Sequence, residues 1–211
     1  MPHDLRYEPT PKWIRAERDG EVVVDSRRAV LVWAADAVVP GYAFPAEDVR
    51  TTEGVHECAD EDLAGYVQVD WGAVDRWLEE DEEAVGHPRD PFHRIDVRAS
   101  SRHVVVSLDG EVVAESRRPT LLFETRLPVR YYLPREDVRL DQFNASDTRT
   151  TCAYKGHASY FGTDAHPDIA WTYLEPLPDA EQIRGLIAFF NERADITVDG
   201  EPQERPATQW S

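Results

Sequence analysis

One stretch of this chain occurs twice. Gly20-Glu21-Val22-Val23, Ser26-Arg27-Arg28 and Leu31 recur as Gly110-Glu111-Val112-Val113, Ser116-Arg117-Arg118 and Leu121. Pro45 with Glu47-Asp48-Val49-Arg50 recurs as Pro134 with Glu136-Asp137-Val138-Arg139. The partners keep a nearly constant spacing, so the chain is expected to hold two copies of one domain. Residues kept in both copies are expected to serve the shared fold. Residues present in only one are where a function could have been gained or lost.

The chain has 211 residues, which gives each copy about 100, enough for a small core of its own. Residues 1–12 read as an extended N-terminal segment, 13–93 as the first copy, 94–203 as the second, and 204–211 as a polar tail expected to fray. The junction falls near Gly86-His87-Pro88-Arg89-Asp90-Pro91, where glycine and proline break both periodicities. Arg94 to Val97 could close the first copy or open the second.

The net charge of −18 repels phosphate backbones and anionic headgroups, so neither nucleic acid nor membrane is an expected partner. The opening Met1-Pro2-His3-Asp4 does not resemble a secretory signal, and a cytoplasmic location is expected. Cys58 and Cys152 are the two cysteines, with no Cys-x-x-Cys pair. That argues against a disulfide framework and against a cysteine-rich zinc site. No metal or other cofactor is expected. The run Glu79-Glu80-Asp81-Glu82-Glu83 reads as a solvated helix end or loop.

The fold class read from the pattern is mainly β. Val22–Val24, Val30–Trp33, Val104–Leu108, Glu111–Ala114, Leu121–Phe123, Thr150–Tyr160, Ile169–Tyr173 and Ile196–Val198 are β-prone runs. Asp19-Gly20 and Asp109-Gly110 are hairpin turns, because a tight hairpin needs positive φ there. One or two short helices are expected: Ala180–Phe190, with Ile183, Leu186, Ile187 and Phe190 at helical spacing, and Ala73–Glu80.

A third matching block bears most on function. Cys58-Ala59, Ala64 and Tyr66 align with Cys152-Ala153, Ala158 and Tyr160, and Trp71 aligns with Trp171. Between them the second copy reads Lys155-Gly156-His157 and the first Glu61-Asp62-Leu63, a reversal of charge. If Thr150–Tyr160 is one strand, Thr151, Ala153, Lys155, His157 and Ser159 share a face, and Cys152, Tyr154, Gly156, Ala158 and Tyr160 the other.

Arg130-Tyr131-Tyr132-Leu133-Pro134-Arg135-Glu136-Asp137-Val138, Thr151 to Tyr160, Ala170-Trp171-Thr172-Tyr173 and Gly185-Leu186-Ile187-Ala188-Phe189-Phe190 together resemble the bacterial family catalogued as domain of unknown function 427. The likeness covers nearly all of residues 100–200, and the first copy resembles a degenerate second example. It implies two tandem β-tent-like domains of small antiparallel sheets, as in cereblon's ligand-binding domain and methionine sulfoxide reductase B. The paired cysteines that hold zinc in many β-tent relatives are missing, so zinc is not implied.

Three functions follow as expectations. The first is a small-molecule-binding module. In it Lys155 and Arg118 hold a carboxylate or phosphate, and Tyr132, Tyr160, Trp171 and Tyr173 enclose a planar or cationic group. The second is an enzyme with Cys152 as nucleophile, its pKa lowered by Lys155 or His157 and with Tyr160 as proton donor. The third is a structural or interaction protein, the duplication forming an intramolecular pseudo-dimer without a ligand. The oligomeric state is left open.

Overall fold

The computed structural model describes residues 7–34, 37–58 and 60–211. The first half of the N-terminal segment, and Ala59 of the third matching block, lie outside the described residues. The chain divides into two compact units, Met1–Phe92 and His93–Ser211.

Among its described residues the first unit has nine strands: β1 (Tyr7–Pro9), β2 (Ile14–Arg18), β3 (Glu21–Ser26), β4 (Val30–Val32), β5 (Gly41–Pro45), β6 (Val55–Glu57), β7 (Tyr66–Val69), β8 (Arg76–Glu79) and β9 (Glu82–Ala84). They form a five-stranded sheet, β1-β4-β5-β7-β6, and a four-stranded sheet, β3-β2-β8-β9. Ile14, Ala16, Val24, Leu31, Tyr42, Phe44 and Trp77 fill its main core.

The second unit has eleven: β10 (Ile95–Ala99), β11 (Val104–Leu108), β12 (Glu111–Ser116), β13 (Thr120–Glu124), β14 (Arg130–Leu133), β15 (Asn144–Cys152), β16 (Gly156–Gly162), β17 (Ala170–Pro176), β18 (Ile187–Phe189), β19 (Asp195–Val198) and β20 (Glu201–Pro202). A seven-stranded sheet runs β10-β13-β14-β18-β17-β16-β15, and a four-stranded one β12-β11-β19-β20. All named pairings are antiparallel. One core cluster takes Val104, Val106, Ile196 and Val198 from the smaller sheet and Leu122, Leu133, Ile187 and Phe189 from the larger. β10 pairs with β13, so Ile95–Ala99 opens the second unit.

The sequence's turn signals act through backbone sign. Asp19-Gly20, Asp109-Gly110 and Asp199-Gly200 have positive φ at both positions, from 51° to 88°, the twist that joins two antiparallel strands directly. In β2–β3 the register slips between Ala16 and Glu17. In β11–β12 it slips between Val106 and Ser107, the positions that align in the repeat.

Of the two expected helices, the first is present with other bounds and the second is corrected. Over Ala180–Phe190 there is a short 3-10 helix, Pro178–Ile183, followed by β18. Gly185 at φ +70° ends the helix, and Ala188 then pairs with both Tyr132 and Trp171. A short apolar run carries the same periodicity whether it is a buried helix or a central strand, and here tertiary pairing decides. Over Ala73–Glu80 a 3-10 turn, Trp71–Ala73, leads into β8. The acidic run is likewise no helix end: it forms the β8–β9 hairpin, with Glu79 paired to Glu82. Among the described residues, no helix is long and apolar enough to cross a membrane.

Candidate functional site

Register determines what the seven-stranded sheet presents. Thr120 and Ala188 are both partners of Tyr132, Ala188 also of Trp171, and Trp171 of Tyr160. Directly opposed residues point the same way and alternate residues share a face. One face therefore carries Leu122, Glu124, Arg130, Tyr132, Ala188, Trp171, Tyr173 and Tyr160. The tyrosines and tryptophan expected in the site are brought together here. Trp171 Nε1 donates to the Tyr132 hydroxyl at 3.0 Å, and their rings meet edge to face, 6.1 Å apart. Tyr160 stacks on Phe190 at 6.5 Å, its hydroxyl 2.7 Å from Thr150 Oγ1.

Lys155 reaches this face from a turn. Thr150–Tyr160 is not one strand: β15 and β16 are joined by Ala153, Tyr154 and Lys155, closed by Lys155 N donating to Cys152 O at 3.3 Å. The expected division of this stretch into two strand faces is corrected accordingly. Gly156 makes the reversal at φ +94°, and an added Cβ would lie 3.3 Å from the Glu175 carbonyl. The Lys155 ammonium bonds the carboxylate of Glu124, the last residue of β13, and their side chains are 10% and 7% exposed. His93 Nε2 contacts the same carboxylate at 3.1 Å, and its ring stacks on Tyr154 at 4.6 Å.

The electrostatics follow from burial and pairing. Burial pushes the Glu124 carboxyl up, but the His93 hydrogen bond and the Lys155 charge outweigh it, so its pKa sits below the ordinary carboxylate value. Burial drives the phenols of Tyr132 and Tyr173 well above theirs. Both hydroxyls therefore stay protonated at neutral pH and can donate. Cys152, the last residue of β15, adjoins this site through its backbone, its carbonyl accepting from Lys155 N.

Glu124, His93 and Arg130 were missed from sequence. For Glu124 a signal existed: it continues the inward alternation begun at Leu122, and a carboxylate there needs a partner. Arg130 stands two residues before Tyr132 on the same face. It makes a bidentate pair with Glu192 at 2.7 and 2.8 Å, and its guanidinium carbon lies 5.6 Å from the Trp171 ring.

Arg118 lies beyond the opposite end of β13 from Glu124. Its guanidinium bonds Glu136 at 2.8 Å and Asp137 at 3.3 Å, beside an open cleft of about 410 Å³ lined by Glu115, Ser116, Arg117, Arg118 and Asp137. Ser116 Oγ donates to Asp137 at 2.7 Å and accepts from Arg118 N at 3.1 Å. Ser26, Asp48 and Arg28 repeat this in the first unit, at 2.7 and 3.1 Å. The Ser-x-Arg and Glu-Asp motifs are thus a latch holding a 3-10 turn against the end of a strand. Ser116→Ala and Ser26→Ala are each expected to cost about 1.5–3 kcal/mol, the range for a hydrogen bond to a charged group, read from urea unfolding. A loss below 0.5 kcal/mol in both would contradict the latch.

At the positions aligned with Lys155, the first unit has a 3-10 turn, Glu61–Leu63, capped by Asp60. Cys58 is free, its thiol pKa raised by burial and by Asp60. Among the described residues, no group of three or more His, Cys, Asp or Glu is placed to hold a metal.

No curated protein matches the chain. Residues 96–200, which span most of the second unit and nearly the whole cluster around Lys155, match the family model described as domain of unknown function (DUF427), and the second unit belongs to that family.

Proposed function

We propose that the second unit is a small-molecule-binding module whose site is the sheet face around Lys155, Glu124, Tyr132, Tyr160, Trp171 and Tyr173. The observation that carries this reading is the Lys155–Glu124 pair, held almost out of water among protonated tyrosines. A buried ion pair adds little stability over a well-packed apolar one, and charged groups so placed in a cluster of polar side chains are typical of binding and active sites. Lys155 spends one N–H on Glu124 and has two more for a ligand oxygen. The aromatic side chains supply the flat walls of a site for a planar carboxylate. Arg118, engaged on Glu136 and Asp137, is left out of this site.

A nucleophilic Cys152 is the weaker reading. The Lys155 ammonium is bound to Glu124, and His157 Nδ1 faces Thr151 Oγ1 at 2.9 Å, so neither group named as its activator is seen on the thiol. We also propose that the first unit is a degenerate copy of the second and that each is a β-tent. The matched bulges, the matched Ser–Asp–Arg latches and the pairing of a larger with a four-stranded sheet support this.

The test is a thermal-shift and calorimetric screen of planar aromatic carboxylates against the full chain. Lys155→Met is expected to weaken binding of any hit about 10- to 100-fold, the equivalent of one charge-assisted hydrogen bond. Unchanged affinity would remove Lys155 as the anchor.

A further inference from the structure

The stretch 204–211, expected to fray, is instead docked on the second unit. Thr208 Oγ1 donates to Glu192 Oε1 at 2.6 Å. The Trp210 ring lies 5.5 Å from the Arg130 guanidinium carbon and 6.3 Å from the Phe190 ring. A turn inside the segment aims both side chains: Trp210 N donates to Thr208 Oγ1 at 3.2 Å, and Thr208 N to Ser211 Oγ at 2.9 Å.

What receives them is built without them. Arg130 and Glu192 hold each other bidentately, Asn191 Oδ1 accepts from Arg130 at 3.2 Å, and Asn191 Nδ2 donates to Val129 O at 2.9 Å. Trp171 and Phe190 pack 4.5 Å apart behind the guanidinium. The receiving surface is therefore a preformed cationic plate backed by two aromatic rings, with a carboxylate oxygen at its side. Such a surface takes a flat π-system over the guanidinium and a hydroxyl on the carboxylate.

The segment itself is held lightly. Among the described residues, no backbone N–H or C=O of 204–211 bonds outside the segment. Its outward hydrogen bonds are the one from Thr208 and those of an exposed Arg205–Asp195 pair. Segments with mostly exposed residues and so few anchoring bonds open at low free energy.

We infer that the second unit carries an indole-binding site formed by Arg130, Glu192, Phe190 and Trp171, and that residues 204–211 fill it in cis as a Thr-x-Trp self-ligand. The ligand class is a peptide segment that presents an indole with a hydroxyl donor two residues before it. This site adjoins the one proposed around Lys155 and shares Trp171 with it, but it uses neither Lys155 nor Glu124.

The test uses a fluorescein-labelled peptide of residues 204–211, followed by anisotropy, against the full chain and a chain ending at Gln203. A tethered segment acts at an effective concentration on the order of millimolar. The shortened chain should therefore bind the peptide saturably, and the full chain should bind it at least about tenfold more weakly. A peptide with Trp210→Ala or Thr208→Val should fail to bind the shortened chain. If the shortened chain does not fold, the full chain with Trp210→Ala takes its place under the same expectations. Equal binding to full and opened chains, no binding to a folded opened chain, or failure of both variants to fold would each overturn the inference.

Discussion

Glu192→Ala is expected to destabilise the second unit by about 3–5 kcal/mol, the cost of leaving a buried charge without its partner. The Arg130 and Glu192 side chains are 6% and 0% exposed. With the carboxylate gone, the guanidinium keeps Asn191 as its one oxygen acceptor among the described residues, under rings that exclude water. Replacing the pair together, as Arg130→Met with Glu192→Leu, should recover most of the loss, because two apolar groups need no partner. The pH dependence has a definite sign. Burial raises the Glu192 pKa, but Arg130 and Thr208 pull it below the ordinary 4.5. Its contribution is therefore complete above about pH 4.5 and is lost as pH falls through the lower folded value. Urea midpoints measured from pH 7 down to pH 3 should fall in the wild type and flatten in Glu192→Ala. A loss under 1 kcal/mol at pH 7 would mean that the guanidinium is hydrated.

The Lys155 anchor makes a second large prediction, and it separates folding from function. Lys155→Met strands the Glu124 carboxylate with His93 alone and is expected to cost about 3–5 kcal/mol at pH 7. Because the Glu124 pKa is held below 4.5 by His93 and Lys155 against burial, wild-type stability from this group is lost below that pH. The variant, whose carboxyl is free to protonate, should lose less, so the two curves converge in acid. Lys155→Met with Glu124→Leu should restore stability at pH 7. If the pair exists for ligand binding, the double variant folds and does not bind planar carboxylates. If the double variant binds them as the wild type does, the pair is only a packing device.

Local signals in this chain were legible wherever backbone sign or side-chain alternation acts alone. Asp-Gly pairs gave the hairpin turns because positive φ is a local requirement, and Val104–Leu108 alternates as a half-buried strand should. The misreadings came where a short run depends on what lies beside it. Ile183 to Phe190 has helical spacing, yet its second half is the strand between β14 and β17, and only that long-range pairing separates the two readings. Thr150 to Tyr160 read as one strand because Tyr154 and Lys155 do not look like turn residues; Gly156, at φ +94°, carried the turn signal. At the site, Tyr132, Tyr160, Trp171, Tyr173 and Lys155 could be gathered from motif spacing. The alternation from Leu122 could put Glu124 on this face, but neither its pairing with Lys155 nor His93 could be read, since an ion-pair partner 31 residues away leaves no mark on the Lys155 sequence. Trp210 was missed for the opposite reason: its surroundings are polar, and one aromatic ring in a polar tail gives no periodicity.

The most direct measurement is a ¹H–¹⁵N titration of the full chain with the tightest-binding planar carboxylate. A ligand held by Lys155 and the tyrosines should shift amides at Glu124, in the Cys152–Gly156 turn and around Trp171–Tyr173, and leave residues 7–92 unchanged. Shifts centred in the first unit, or at the Arg118 cleft with none at the Cys152–Gly156 turn, would contradict a site built on Lys155.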